Sequence, residues 1–180
     1  ADPARLTAAR VWIVDPLDGT REFADVPRED WAVHVALVVG GVPVAGAVAL
    51  PARSLTLGTL PAAAAPPAWD GPPRVLVSRT RPPAEALRIA EVLGGTLVPL
   101  GSAGAKTMAV VLGDADVYAH SGGQYEWDSA APVAVARAAG LHASRLDGSP
   151  LAYNRADPYL PDLLVCRPEL ADAVIAAARG

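Results

Sequence analysis

Two aspartates three positions apart stand at the end of an apolar run near the start of the chain. The run Val11–Val14 is typical of a short buried strand, and it delivers Asp15 and Asp18 into a turn favoured by Pro16 and Gly19. Two carboxylates held close together repel each other unless a cation lies between them, and Mg²⁺ prefers oxygen ligands. The spacing therefore predicts either a metal site or a tight turn in which the aspartates cap backbone N–H groups.

A third candidate carboxylate lies far downstream, in the sequence Trp127–Ala131 (WDSAA). The pattern predicts a helix over Trp127–Ala139 that ends at Gly140, so Asp128 would lie in its first turn. There the positive end of the helix dipole and the free N–H groups favour both carboxylate and phosphate. The alternative is that Asp128 only caps the helix.

The composition describes a folded chain with a large core. Hydrophobic residues make up 52% of it and aromatic residues only 5%, so alanine, valine and leucine must build that core. The net charge of −4 argues against a nucleic-acid polymer or a membrane surface as partner. The single cysteine, Cys166, cannot form an internal disulfide, so we expect a reducing cytoplasm. No stretch is apolar enough to span a bilayer, and we expect no signal peptide.

The elements that must position these carboxylates fall into two predicted domains, 1–66 and 67–180, separated by a proline-rich linker over Pro61–Pro73. The first is predicted to be α+β and the second α/β. For the first we expect an active-site loop followed by three strands, with a hairpin at Gly40–Gly41: Thr20–Asp30, then Trp31–Val39, Val42–Leu50 and Ser54–Leu60. For the second we expect alternating strands and helices: Arg74–Val77, Pro83–Leu93, Thr96–Leu100, Ser102–Leu112, Asp116–His120, Trp127–Ala139, Leu163–Cys166 and Glu169–Ala178.

The segment Trp12–Thr20 (WIVDPLDGT) resembles the signature of the Mg²⁺-dependent, lithium-sensitive phosphatase superfamily, which includes the inositol monophosphatases. The downstream WDSAA segment resembles the second motif of that superfamily. Two motifs in the right order are far more specific than either alone. The chain is most similar to the actinobacterial-type 3'-phosphoadenosine 5'-phosphate phosphatases, whose style of sequence recurs in Arg21–Phe23, Gly101–Lys106 and Ser144–Tyr153.

The resemblance implies a layered α-β-α-β-α sandwich and a homodimeric, cytoplasmic enzyme of sulfate assimilation that binds two or three Mg²⁺ ions. It implies four metal ligands, one of them a backbone carbonyl: Asp15, Leu17, Asp18 and Asp128. It implies three catalytic residues: Asp15, Asp18 and Thr20. It also implies a set of substrate-binding residues: Gly19, Thr20, Ser102, Lys106, His120 and Asp128.

The expected reaction is hydrolysis of a small phosphate ester, 3'-phosphoadenosine 5'-phosphate, to AMP and phosphate. Inositol 1-phosphate and fructose 1,6-bisphosphate are the alternative substrates. Inositol monophosphatases typically have a glutamate several residues before the Trp-Asp pair, where this chain has Ser121–Gly123 and places Glu126 directly before Trp127. That departure favours the nucleotide.

A second alternative is a catalytically silent domain for binding or oligomerisation. Members of the family carry an N-terminal helical region that ends in a metal-binding Glu-Glu pair. The stretch Ala1–Arg10 has Asp2 as its only acid, so it offers no counterpart. We therefore expect that this N-terminal segment is missing from the chain.

The remaining polar residues near the motifs have ordinary explanations beside the functional ones. Lys106 is the only lysine of the chain, and the alternative to phosphate binding is a solvated helix lysine. His34 alternates with apolar neighbours and is expected to be a hydrogen-bonded sheet residue, not a ligand. Arg21, Glu22 and Asp30 flank the first motif and are candidates for tuning the site, a role that spacing alone does not show.

Overall fold

Nine strands and five α-helices form the part of the chain that the computed structural model describes, residues 2–180. The strands are β1 (Arg10–Asp18), β2 (Ala32–Val39), β3 (Val42–Leu50), β4 (Leu55–Gly58), β5 (Arg74–Val77), β6 (Thr96–Pro99), β7 (Val117–Tyr125), β8 (His142–Ser144) and β9 (Tyr159–Cys166). The helices are α1 (Thr20–Ala24), α2 (Ala84–Val92), α3 (Ala103–Leu112), α4 (Glu126–Ala138) and α5 (Ala171–Arg179).

The strands form two sheets. The first is an antiparallel meander with the order β1-β2-β3-β4, and its central hairpin turns at Gly40–Gly41 as predicted. The second has the order β6-β5-β7-β9-β8. Its strands β6, β5 and β7 run parallel, whereas β9 is antiparallel to both β7 and β8. The second sheet is therefore mixed, because the connection from β8 to β9 contains no helix and β9 runs against both of its neighbours.

Helices α3 and α4 lie between the two sheets, and α2 and α5 cover the far side of the second. The layers thus follow one another as sheet, helices, sheet, helices. Small residues let α4 approach the first sheet closely, since a Cβ built on Gly46 of β3 would lie 3.1 Å from the Cβ of Ala134. One cluster of buried residues joins both sheets through these central helices, with Val48, Val133 and Leu163 among its members.

The apolar run at the start of β1 is not buried, and that prediction is wrong. Trp12 is 65% exposed and Val14 is 49% exposed. The reason is that the first sheet is an outer layer, in which one face packs against α4 while residues on the other, such as Trp12 and Val14, stay exposed. Four apolar residues in a row predict a strand, but they do not tell whether one face or both are covered.

Three further differences concern the bounds of elements. The predicted loop Thr20–Asp30 begins with the short helix α1. The strand predicted to end at His120 continues as β7 to Tyr125, because an irregularity between Ser121 and Gln124 is tolerated within its pairing with β9. The short strand β8 carries no strong period and was not predicted.

The proline-rich linker forms neither helix nor strand, apart from an isolated bridge at Ala62, as its prolines predict. The side chain of Trp69 in this linker stacks under the guanidinium of Arg74, 4.2 Å from the ring centre. The division into domains 1–66 and 67–180 stays a prediction. In the described part of the chain, no helix has both the length and the apolar character needed to cross a bilayer.

Candidate active site

Strand β1 brings two carboxylates to the same face by breaking its own register. Asp15 pairs with His34 of β2, and the pairing then shifts before Asp18 meets Ala32. Side chains three apart point to opposite faces of a regular strand, whereas one extra residue reverses the second of them. Asp15 and Asp18 are consequently both buried, each with 8% of its surface exposed. The irregularity contains Pro16, which cannot donate to the ladder.

Gly19 turns the chain away from the strand. Its φ of +83° lies in the left-handed region, which glycine adopts without steric cost. A Cβ at this position would also lie 3.0 Å from the Cβ of Ser102. Thr20 then begins α1, and its hydroxyl donates to the carbonyl of Leu17 at 3.4 Å. The predicted carbonyl ligand and the predicted catalytic hydroxyl are therefore in contact.

Two hydrogen-bond donors and one histidine ring nitrogen surround a single carboxylate oxygen of Asp18. Its Oδ2 accepts from the hydroxyl of Ser102, from the backbone N–H of Gly104 at 2.7 Å, and faces Nε2 of His34 at 3.3 Å. Burial alone would raise the pKa of Asp18, but the contacts with His34, Ser102 and Gly104 lower it below its usual value. Asp18 is thus held ionised and fixed in orientation.

Asp128 lies in the first turn of α4, as predicted. Its Oδ2 accepts from the backbone N–H of Tyr125 at 2.7 Å, so the carboxylate does cap the helix. Burial raises its pKa to about 6, and the charges of Asp18 and Asp15 add to that rise. The capping role and a place in the acidic cluster are therefore compatible, because a carboxylate has two oxygens.

The three aspartates meet at one point. One carboxylate oxygen each from Asp15, Asp18 and Asp128 lie within 4.8 Å of one another. Burial raises the pKa of Asp15 as well, and the charge of Asp18 contributes to that rise. A cluster of hard oxygen donors with mutual repulsion suits a divalent cation such as Mg²⁺, whose charge would remove the repulsion. The residues present therefore fit the metal that the motifs imply.

The start of α3 closes the site on a second side. Ser102 has a φ of +49°, which residues other than glycine rarely adopt, and its hydroxyl accepts from Ala105 while it donates to Asp18. Lys106, one turn further, is buried, and its ammonium lies 5.2 Å from the ring centre of Tyr118. Burial lowers the pKa of Lys106 to about 8, and nearby carboxylates oppose that fall. Lys106 is not a solvated helix lysine.

His120 is the one predicted site residue that stands apart. Its Nε2 lies 2.8 Å from the carbonyl oxygen of Gly122, at the irregularity of β7. Burial lowers its pKa, and the charged side chains that act on it are Lys106, Asp162 and Glu85. None of the three clustered aspartates is among them. The structure does not bring His120 into contact with the carboxylates, and its role in substrate binding stays a prediction.

The sequence did not predict the contacts by which Asp30 and Glu22, beside the first motif, hold the site together. Asp30 accepts from the backbone N–H of Gly101 at 2.6 Å, and Glu22 accepts from the guanidinium of Arg79 at 2.9 Å. A Cβ on Gly101 would lie only 2.2 Å from Cγ of Glu22. The sequence signal for these contacts was the pair of glycines near Ser102, Gly101 and Gly104. Glycine at the start of a helix often marks a place where another group approaches the backbone closely.

Comparison with known proteins agrees with this geometry. The Inositol monophosphatase family model matches residues 1–65 and 73–180. A 3'-phosphoadenosine 5'-phosphate phosphatase of Mycobacterium bovis is 56% identical over 184 residues, which cover 98% of this chain and 69% of that protein. Its counterpart in Mycobacterium leprae is 53% identical over 190 residues, covering 99% of this chain and 70% of that protein.

The fold is also found in solved structures. An inositol monophosphatase from Zymomonas mobilis aligns with a TM-score of 0.77 and 23% sequence identity, covering 96% of this chain and 72% of that one. The layered arrangement of sheets and helices that the resemblance implies is thereby confirmed. The resemblance carried by the two aspartate motifs is confirmed as well. This chain belongs to the inositol monophosphatase family.

Proposed function

We propose that this protein is a Mg²⁺-dependent phosphomonoesterase that hydrolyses 3'-phosphoadenosine 5'-phosphate to AMP and phosphate. The observation that carries the proposal is the convergence of Asp15, Asp18 and Asp128 within 4.8 Å, from two motifs far apart in the sequence. Mycobacterial proteins more than half identical to this chain bear the name of that activity. The substrate is thus a small phosphate ester.

The metal would be held by the three aspartates together with the carbonyl of Leu17. When bound, Mg²⁺ neutralises charge on the phosphoryl group and lowers the pKa of a water molecule. Asp18 contributes a carboxylate that is already ionised and oriented by Ser102 and Gly104. The folded chain therefore already holds this ligand in place, so less conformational entropy is lost when the metal binds.

The chain's own groups orient the ester and the attacking water. The first turn of α4, where the positive end of the helix dipole lies beside Asp128, suits a phosphate oxygen. The hydroxyl of Thr20 stands at the exposed start of α1, where it can orient a water molecule toward the phosphorus. Water attack forms one P–O bond as the bond to the 3' oxygen breaks, and that oxygen leaves with a proton as a hydroxyl.

Lys106 is proposed to bind an anionic oxygen of the nucleotide. Its ammonium has only a long contact, 3.4 Å to the carbonyl of Leu100, and the Tyr118 ring as neighbours in the described structure. A buried ammonium is strengthened as an electrostatic partner because the surrounding dielectric is low. The same burial makes the lysine sensitive to alkaline pH.

A comparison of three substrates tests the proposal. Phosphate release is measured from 3'-phosphoadenosine 5'-phosphate, inositol 1-phosphate and fructose 1,6-bisphosphate, with Mg²⁺ and with a chelator. We expect Mg²⁺-dependent release that is fastest for the nucleotide. Equal or faster release from inositol 1-phosphate would overturn the choice of substrate. A folded protein that releases phosphate from none of the three would favour the silent binding domain.

The remaining implications of the resemblance belong to the same proposal. They are a homodimer, a cytoplasmic location, inhibition by lithium, two or three bound Mg²⁺ ions and a role in sulfate assimilation. Light scattering of the purified protein and lithium inhibition of phosphate release test the first and third of these directly.

A further inference from the structure

His34 occupies the space between the two aspartate motifs. It lies in β2, has no exposed surface, and pairs across the sheet with Asp15. Its Nδ1 lies 3.1 Å from the carbonyl oxygen of Trp127, and its Nε2 lies 3.3 Å from Oδ2 of Asp18. Since a carbonyl only accepts, Nδ1 is the donor in the first contact. One ring therefore spans from the first motif to the residue beside Asp128.

The neighbouring helix leaves room for this ring. A Cβ built on Gly104 of α3 would lie 2.0 Å from Nε2 of His34, a distance that no side chain can tolerate. The backbone N–H of Gly104 donates to the same oxygen of Asp18 that His34 faces. The glycine and the histidine thus form one arrangement around Asp18, and any residue larger than glycine would displace the imidazole.

We propose that His34 is a positioning residue that fixes the first turn of α4, and with it Asp128, relative to Asp18. This inference rests on the proposed metal-dependent function. Trp127 and Asp128 are adjacent in the chain, so a contact to the carbonyl of Trp127 restrains the backbone that carries Asp128. The two aspartates come from separate elements, and the described structure has the His34 ring bridging them.

The expected consequence is a change in metal affinity. Partners that orient metal ligands without touching the metal change affinity by about 10- to 100-fold when they are removed. Loss of His34 leaves Asp18 with its two hydrogen-bond donors, Ser102 and Gly104, but frees the start of α4. The carboxylates then sample separations too wide for one cation, so the cation binds more weakly.

The test measures binding of Mn²⁺, used as a spectroscopic probe for Mg²⁺, by electron paramagnetic resonance on the purified protein. His34→Ala removes both contacts. His34→Asn places an amide nitrogen near the position of Nδ1 and retains the Trp127 contact, whereas His34→Gln retains the Asp18 contact. His142→Ala, a histidine on β8 away from the site, is the control. We expect the alanine variant to bind Mn²⁺ at least about tenfold more weakly, with partial recovery in the Asn and Gln variants.

Each other outcome decides against the inference. Equal Mn²⁺ affinity in wild type and His34→Ala, even with a lower melting temperature, would show a purely structural histidine. Should His34→Ala not fold, the Asn and Gln variants carry the test, and unchanged affinity in both would overturn the positioning role. A wild-type protein that binds no Mn²⁺ would instead contradict the metal site of the proposed function, and the inference with it.

Discussion

At the scale of single residues, the three aspartates of the site differ in how their charge is balanced. Asp18 has hydrogen-bond donors that lower its pKa, whereas burial and neighbouring charge raise the pKa of Asp15 and of Asp128. Asp18 is therefore ionised by the protein alone. A cation would stabilise the negative charge on Asp15 and Asp128, so the geometry suits a divalent metal.

Lys106 gives a prediction about pH. Because burial lowers its pKa to about 8, the ammonium loses its proton as the pH rises through that value. The positive charge that we assign to nucleotide binding is present below pH 8 and lost above it. We expect KM for 3'-phosphoadenosine 5'-phosphate to rise by up to about tenfold between pH 7 and 9.

The matched variant is Lys106→Gln, which carries no charge at any pH. Its KM should be high throughout and should vary much less over the same range. Steady-state kinetics at a series of pH values measures both. A pH profile of KM that is the same in wild type and variant would show that Lys106 does not bind the substrate.

Gly104 gives a prediction about space. Gly104→Ala places a methyl group where the imidazole of His34 lies, so the ring must leave Asp18. We expect at least a tenfold fall in phosphate release and a loss of about 1–3 kcal/mol in the free energy of unfolding, as for other overpacked sites. The control is Gly58→Ala in β4, where the new Cβ meets only an ordinary contact at 3.5 Å. Full activity in Gly104→Ala would mean that the site tolerates a displaced His34.

At the scale of elements, the second sheet depends on one buried carboxylate. Asp116, just before β7, has no exposed surface and accepts hydrogen bonds from Arg74 on β5 and from Arg167 after β9. Three strands are thus joined at one end of the sheet. The arrangement stabilises the strand that leads into α4, and through it the position of Asp128.

Asp116→Asn is expected to lower the free energy of unfolding by about 3 kcal/mol, because two guanidinium groups lose their buried counter-charge. Burial alone would raise the pKa of Asp116, but the hydrogen bonds from Arg74 and Arg167 lower it below 3.8. Its contribution is therefore complete above that pH and is lost as the pH falls further. Urea unfolding at several pH values should show the difference between wild type and variant shrinking in acid. A constant difference would contradict this assignment.

Structure that depends on local sequence patterns could be predicted, whereas structure that depends on packing between elements could not. The aspartate motifs, the hairpin at Gly40–Gly41 and the helix that carries Asp128 were predicted because they depend on local patterns. The exposure of Trp12 was not, because it depends on which face of the first sheet is covered by helices. The contacts of His34 with Asp18 and Trp127 were not predicted, for a similar reason. Its partners Asp18 and Trp127 are brought together only by packing of α4 on the first sheet.

At the scale of the whole molecule, the site lies where the two sheets meet through shared helices. Asp15 and Asp18 come from the first sheet, while Asp128 belongs to the helix that follows β7 of the second. The helices between the sheets belong to one continuous hydrophobic cluster, so the two halves of the site are held by the same core. Unfolding of either half would therefore separate the three aspartates.

Phosphate release from 3'-phosphoadenosine 5'-phosphate as a function of Mg²⁺ concentration is the decisive measurement for the proposed function. Wild type is compared with Asp18→Asn and Asp128→Asn, one variant from each motif. Asp70→Asn, in the exposed linker, is the control for the same chemical change. We predict Mg²⁺-dependent release that falls more than about 100-fold in both site variants and not in the control. Undiminished release in either site variant, or release that persists when all Mg²⁺ is chelated, would contradict a metal site shared by the two motifs.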